Sequence, residues 1–153
     1  MALEEGVENG MGVIHVLPED QIEELLRTAL VGRIACCGHG AGGGDGRPYV
    51  VPLSYGYDGE AIYGHSGLGT KIRLMRAQPL ISFEVDRAEA ADRWCSVIAE
   101  GTYEELLDAE ACERAIAVIY PYSATRPVLP PGTIYYRIRL TAKSGRYEVP
   151  DEA

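Results

Sequence analysis

The segment Ile62-Tyr63-Gly64-His65-Ser66-Gly67-Leu68-Gly69-Thr70-Lys71 gathers the residue types that hold a phosphate monoester. An apolar strand runs into hydroxyls and glycines, and a lysine then opens a helix. The first turn of a helix carries backbone N–H groups without an intrahelical partner and the positive end of the dipole. Ser66 and Thr70 add hydroxyl donors, Gly67 and Gly69 let the main chain approach a ligand closely, and Lys71 supplies a full positive charge. A helix start with an exposed lysine has the same pattern, so spacing alone leaves both readings open. His65, at the end of the same strand, has a plain reading as a histidine satisfied by main chain.

A second segment, Pro48-Tyr49-Val50-Val51-Pro52-Leu53-Ser54-Tyr55, is apolar with a proline inside it. Proline cannot donate to a sheet ladder, so Pro52 implies an edge strand or a bulge, where main-chain groups stay unpaired. The four cysteines, Cys36, Cys37, Cys95 and Cys112, show no C-x-x-C spacing, and no metal site is expected. Residues 38–46 form a glycine tract around His39. It lacks the strand-to-helix setting and the trailing Lys-Ser/Thr of a phosphate-binding P-loop, and reads as a flexible hairpin tip.

Lysine and arginine total 14 against 23 aspartates and glutamates, a formal net charge of −9 over 153 residues. A broad nucleic-acid surface needs clustered cations, so nucleic acid is not an expected partner; a small, locally neutralised phosphate is compatible with this balance. No stretch reaches the roughly 20 apolar residues that cross a bilayer, and the opening residues lack the basic and apolar blocks of a secretory signal. The expectation is a cytoplasmic protein with no membrane partner.

The elements that position these groups follow from periodicity. Residues 1–12 read as a flexible tail, and 13–149 as one domain. Order starts near Val13-Ile14-His15-Val16-Leu17. Acids after Pro18 and apolar residues at Ile22, Leu25, Leu26 and Ala29 predict a helix to about Leu30. Strands are expected over 33–37, 49–57 and 61–65, a short helix through Ile72, Leu74 and Met75 ending before Pro79, and strands over 80–86 and 94–103 joined by a polar connection. Asp108 caps a helix that stops at Tyr120-Pro121. A strand over 133–140 and a short edge over 145–149 complete the chain. Short strands with three scattered helices favour a small closed antiparallel barrel over a doubly wound sheet.

This order resembles the pyridoxamine 5′-phosphate oxidase-like FMN-binding split-barrel family, especially its nitroimidazole-resistance-type branch. Four segments carry the resemblance: Gly32-Arg33-Ile34-Ala35; Pro48 to Tyr55; Tyr63-Gly64-His65-Ser66 with Gly69-Thr70-Lys71; and Trp94-Cys95-Ser96-Val97 with Gly101 ending that strand. It implies a mainly β fold, a six-stranded antiparallel split barrel of Greek-key type with a few flanking helices. It also implies FMN at the interface of a homodimer, its phosphate at Ser66, Thr70 and Lys71 and its ring against the main chain of Val50, Val51, Pro52, Leu53 and Ser54. Trp94 and Ser96 match a motif that faces the cofactor of the dimer. His65 matches a histidine beside the cofactor, which in haem-binding relatives approaches iron.

Relatives often carry arginine where this chain has Cys95, and Arg73, Arg76 and Arg93 are the cations available to replace it. The ending Tyr147-Glu148-Val149-Pro150-Asp151-Glu152-Ala153 lacks the basic substrate-binding segment of the vitamin B6 oxidase, so vitamin B6 oxidation is not expected. The implied activity is electron transfer from a reduced nicotinamide or a deazaflavin to a small-molecule acceptor. The alternative is an FMN- or haem-binding module for storage, sensing or delivery without turnover. The cofactor would carry the chemistry, so no catalytic residue is named.

Overall fold

The computed structural model describes residues 12–40, 44–122, 124 and 126–151. Among the described residues, ten strands and three helices follow one another as β1 (Val13–Val16), α1 (Glu19–Thr28), β2 (Gly32–Cys36), β3 (His39–Gly40), β4 (Gly44–Asp45), β5 (Tyr49–Leu53), β6 (Gly56–Tyr57), β7 (Ala61–Ser66), α2 (Thr70–Ala77), β8 (Leu80–Ala90), β9 (Arg93–Leu106), α3 (Ala109–Ile119) and β10 (Ile134–Val149). Residues 1–11 of the expected tail and 41–43 of the glycine tract lie outside the described residues. Gly12 is buried against Val149, where a Cβ would lie 2.5 Å from the Val149 carbonyl oxygen.

The main sheet is antiparallel throughout, in the order β5-β2-β8-β9-β10-β7-β6, with β1 added to β10. Its two ends, β5 and β6, are separated in the chain only by Ser54 and Tyr55. Two residues span at most about 10 Å, so the sheet has to curl until its ends meet. The stretch from Tyr49 to Tyr57 therefore acts as one interrupted strand that pairs first with β2 and then with β7. The result is a mainly β split barrel, its six longer strands extended by the short β1 and β6.

Two segments differ from expectation. The polar connection between β8 and β9 is a hairpin, because both strands continue until only Ala91 and Asp92 turn the chain. The expected short edge at 145–149 is the far half of the 16-residue β10, flanked by β9 and β1 and therefore not an edge. A bulge between Leu140 and Ala142 bends β10, so its first half pairs with β7 and its second half with β1.

One core fills the barrel: Ile34, Ile62, Phe83, Val85, Val97, Tyr136 and Ile138 from the strands, with Leu25 and Leu26 from α1 and Ile72, Leu74 and Met75 from α2. A second, smaller cluster lies outside β7, where Ala61 and Tyr63 meet Ala115 of α3. The last turn of α3 sits directly on β6: a Cβ at Gly56 would lie 2.6 Å from backbone atoms of Val118 and Ile119. Glycine there lets α3 approach closely, and so places its C-terminal residue, Tyr120, over the end of β7.

Candidate functional site

The site is built where β7 ends and α2 begins. Strand residues alternate between faces, and Ile62 packs in the barrel core while Ala61 and Tyr63 pack under α3. By the same alternation Ser66 leaves β7 on the barrel side and His65 on the α3 side. Gly64 lies under Tyr136, where a Cβ would come within 2.5 Å of the phenol oxygen, so the small residue makes room for a buried aromatic ring.

α2 begins at Gly69, has no side-chain cap and carries no acid in its first turn. Its stability comes from elsewhere. Ile72, Leu74 and Met75 are buried, at about 1.5–3 kcal/mol each, against about 1 kcal/mol for a good cap. Packing alone holds the helix, and its first N–H groups stay available. A Cβ at Gly67 or Gly69 would meet nothing within 4 Å, so the approach to that turn is open. Neither glycine has a positive φ, so it is space rather than backbone conformation that they contribute.

Lys71 is half-buried beside this turn, and among the described residues no carboxylate lies within ion-pair distance of it. Thr70 is exposed, while Ser66 Oγ donates to the Gly67 carbonyl oxygen at 2.7 Å. Ser66 must therefore rotate to donate to a ligand, whereas Thr70 and Lys71 need no partner removed. Ser66, Thr70 and Lys71 share the one turn from β7 into α2, a setting whose donors suit an anion.

His65 Nε2 lies 2.8 Å from the Tyr120 hydroxyl. Its ring also stands near that of Tyr135, its neighbour across β10. Burial, and then the Lys71 charge, hold the imidazole below its ordinary pKa, so it is neutral at pH 7. Tyr120 read in the sequence only as the end of a helix. Fifty-five positions separate it from His65, and no local pattern connects them.

β5 pairs with β2 alone, which makes it an edge strand, as Pro52 required. Val50, Pro52 and Ser54 are exposed, Val51 is partly so, and Leu53 packs against the core. Trp94 and Ser96 lie elsewhere. The Trp94 indole N–H donates to Glu148 Oε2 at 2.6 Å near the start of β9, whereas the β9 residue level with His65, across Tyr135, is Leu106. About a dozen residues of strand lie between them. Of the cations expected to stand in for arginine at Cys95, Arg76 is bound to Glu105 and Arg93 lies 3.9 Å from Glu89, so only the exposed Arg73 is left uncommitted on α2.

A family profile described as pyridoxamine 5′-phosphate oxidase matches residues 18–147, which takes in everything from α1 to all but the last two residues of β10, the turn at Lys71 included. The chain belongs to the pyridoxamine 5′-phosphate oxidase family. A FAD-binding protein from Mesorhizobium loti is 33% identical and superposes with a TM-score of 0.70 over 88% of this chain and 97% of its own. Two more distant proteins share the fold. A candidate 5-nitroimidazole antibiotic resistance protein from Bacteroides thetaiotaomicron is 18% identical, with a TM-score of 0.73 over 96% of this chain and 94% of its own. A FAD- and haem-binding protein from Mycobacterium smegmatis is 17% identical, with a TM-score of 0.65 over 89% and 75%. An uncharacterised protein of Rhizobium meliloti is 29% identical over 99 residues, 65% of this chain; the match spans 62% of that relative's length. Among the described residues no helix is long and apolar enough to cross a membrane, and no group of histidine, cysteine and acidic side chains is placed to hold a metal.

Proposed function

We propose that this member of the pyridoxamine 5′-phosphate oxidase family is a flavoprotein oxidoreductase that holds FMN, or the FMN half of FAD, at the turn between β7 and α2. The observation that carries this reading is the uncapped N-terminus of α2, with a half-buried Lys71 that has no carboxylate partner. Lys71, Thr70 and a rotated Ser66 bind the phosphate. The edge strand β5 offers the main chain of Val50, Val51, Pro52, Leu53 and Ser54 to the rim of the ring, and His65 stands neutral beside it. Bound there, the flavin supplies the hydride and electron chemistry, taken from a reduced nicotinamide or a deazaflavin and passed to a small acceptor.

A second copy of the chain completes the site in this proposal. Trp94 and Ser96 stand near the start of β9, about a dozen positions along the strand from the residue level with His65, and in this proposal those of the partner subunit reach the cofactor. Four free cysteines, one of them buried, agree with a cytoplasmic, reducing setting.

The test is an absorption spectrum of the purified protein after addition of FMN or FAD and desalting. Flavin absorbance that survives desalting, is lost in Lys71→Ala and bleaches with a reduced nicotinamide or deazaflavin is the expected result. Retention without bleaching by either donor would leave a carrier or sensor. A protein that keeps neither flavin would sink the reading.

A further inference from the structure

The one histidine at the candidate site is already engaged. A haem iron takes a neutral imidazole through one ring nitrogen while the other donates to a carbonyl or carboxylate. His65 is neutral, held so by burial and by Lys71, but its outer nitrogen, Nε2, is the atom that Tyr120 hydrogen-bonds at 2.8 Å. The other nitrogen, Nδ1, lies next to the residue's own Cβ and is the more crowded of the two.

Tyr120 is not placed there by chance rotation of a surface side chain. It is the C-cap of α3, its backbone N–H bonds to the Ile116 carbonyl oxygen, and its own carbonyl oxygen accepts from Arg126 Nε at 2.9 Å. α3 is fixed in turn by Ala115 packed outside β7 and by the close contact of its last turn with Gly56. The ring of Tyr120 lies 5.8 Å from that of His65, so a planar group approaching Nε2 meets the phenol first. As the chain stands, these residues do not fit haem.

We infer that Tyr120 is the residue that sets cofactor choice, by occupying His65 Nε2 and so closing the histidine to iron while leaving the flavin seat at Lys71 untouched. The inference rests on the flavin reading for its second half only. The haem half concerns a bond present in the chain itself and is tested without flavin.

The experiment is a haemin titration of the unmodified protein, Tyr120→Phe, Tyr120→Leu, and each variant combined with His65→Ala, read by the Soret band. Melting curves and retained flavin are recorded on the same samples. The unmodified protein should show no His65-dependent Soret shift. Both tyrosine variants should bind haemin about fivefold or more tightly with a histidine-ligated spectrum, a gain of the size expected for releasing one hydrogen bond, and lose it when His65 is also removed. Tyr120→Leu covers the case in which Tyr120→Phe leaves the ring as an obstacle. Haemin ligation through His65 in the unmodified protein would overturn the inference, and so would the absence of a gain in both folded variants. A gain that persists without His65 would overturn it too. If no variant retains flavin but the haemin result holds, it is the flavin reading that fails.

Discussion

The N-termini of α2 and α3 meet the same physical demand in opposite ways. α3 supplies its own negative end: Asp108 accepts a hydrogen bond from the Ala111 N–H at 2.7 Å, and Glu110 follows in the first turn. α2 starts from a glycine, has no acid in its first turn, and places a lysine there instead, against the preference of the dipole. α1 sides with α3, carrying Glu19 and Asp20 in its first turn. A helix that omits its cap and adds a cation leaves its positive end to water or to an outside anion, and three buried apolar residues let α2 do without the stability a cap would add.

Reversing the cation should break this contrast most strongly. Lys71→Glu gives α2 the charge that α3 already has, and flavin affinity measured by fluorescence quenching should fall by about a hundredfold while the melting temperature holds or rises. An unchanged affinity would mean that the phosphate sits elsewhere. A subtler change converts α2 into a capped helix. Gly69 lies in extended backbone with open space above it, so Gly69→Asp should stabilise the protein without flavin by a few tenths of a kcal/mol and weaken flavin binding about tenfold. A variant that gained stability and kept its affinity would show that the first turn is not the seat.

The reverse change on the other helix has a separate signature. Asp108→Ala should cost about 1 kcal/mol, some 2–4 °C in Tm, and leave flavin affinity unaltered. Any loss of flavin here would tie α3, and with it Tyr120, into the site more tightly than one hydrogen bond to His65 implies.

The smallest effect concerns the field of Lys71. Burial and then Lys71 depress the His65 pKa below 6.5, so as the pH falls the unfolded chain takes up its proton first. The stability contributed by neutral His65 is therefore present above pH 6.5 and lost below it. In Lys71→Ala the NMR titration midpoint of His65 should rise toward the ordinary value without reaching it, because burial remains. A midpoint that did not move would place the ammonium farther from the ring than the fold indicates.

Much of this site was legible in the chain because its parts are contiguous. Ser66, Thr70 and Lys71 lie within one strand-to-helix turn, so residue type and spacing carry the signal directly. Pro52 marked an edge strand for an equally local reason. The glycine tract, by contrast, reads as a loop in any fold, and sequence gave no register for it. β10 was read as two pieces because polar residues around the bulge at Leu140/Ala142 interrupt its alternation, and only pairing with β9 on one side restores continuity.

By itself, then, the sequence determined the antiparallel β character, the three helices found among the described residues and the strand-to-helix turn that gathers Ser66, Thr70 and Lys71, since apolar periodicity, caps and turn residues act over a few positions. Tertiary structure decided which groups stand free. It sent His65 and Ser66 to opposite faces of β7, bound Arg76 to Glu105, and held Trp94 on Glu148 near the start of β9. It also closed Tyr120 onto His65, a contact made when α3 packs against β6 and β7. These outcomes depend on pairings between residues tens of positions apart, and burial fixes such pairings only once the barrel has closed.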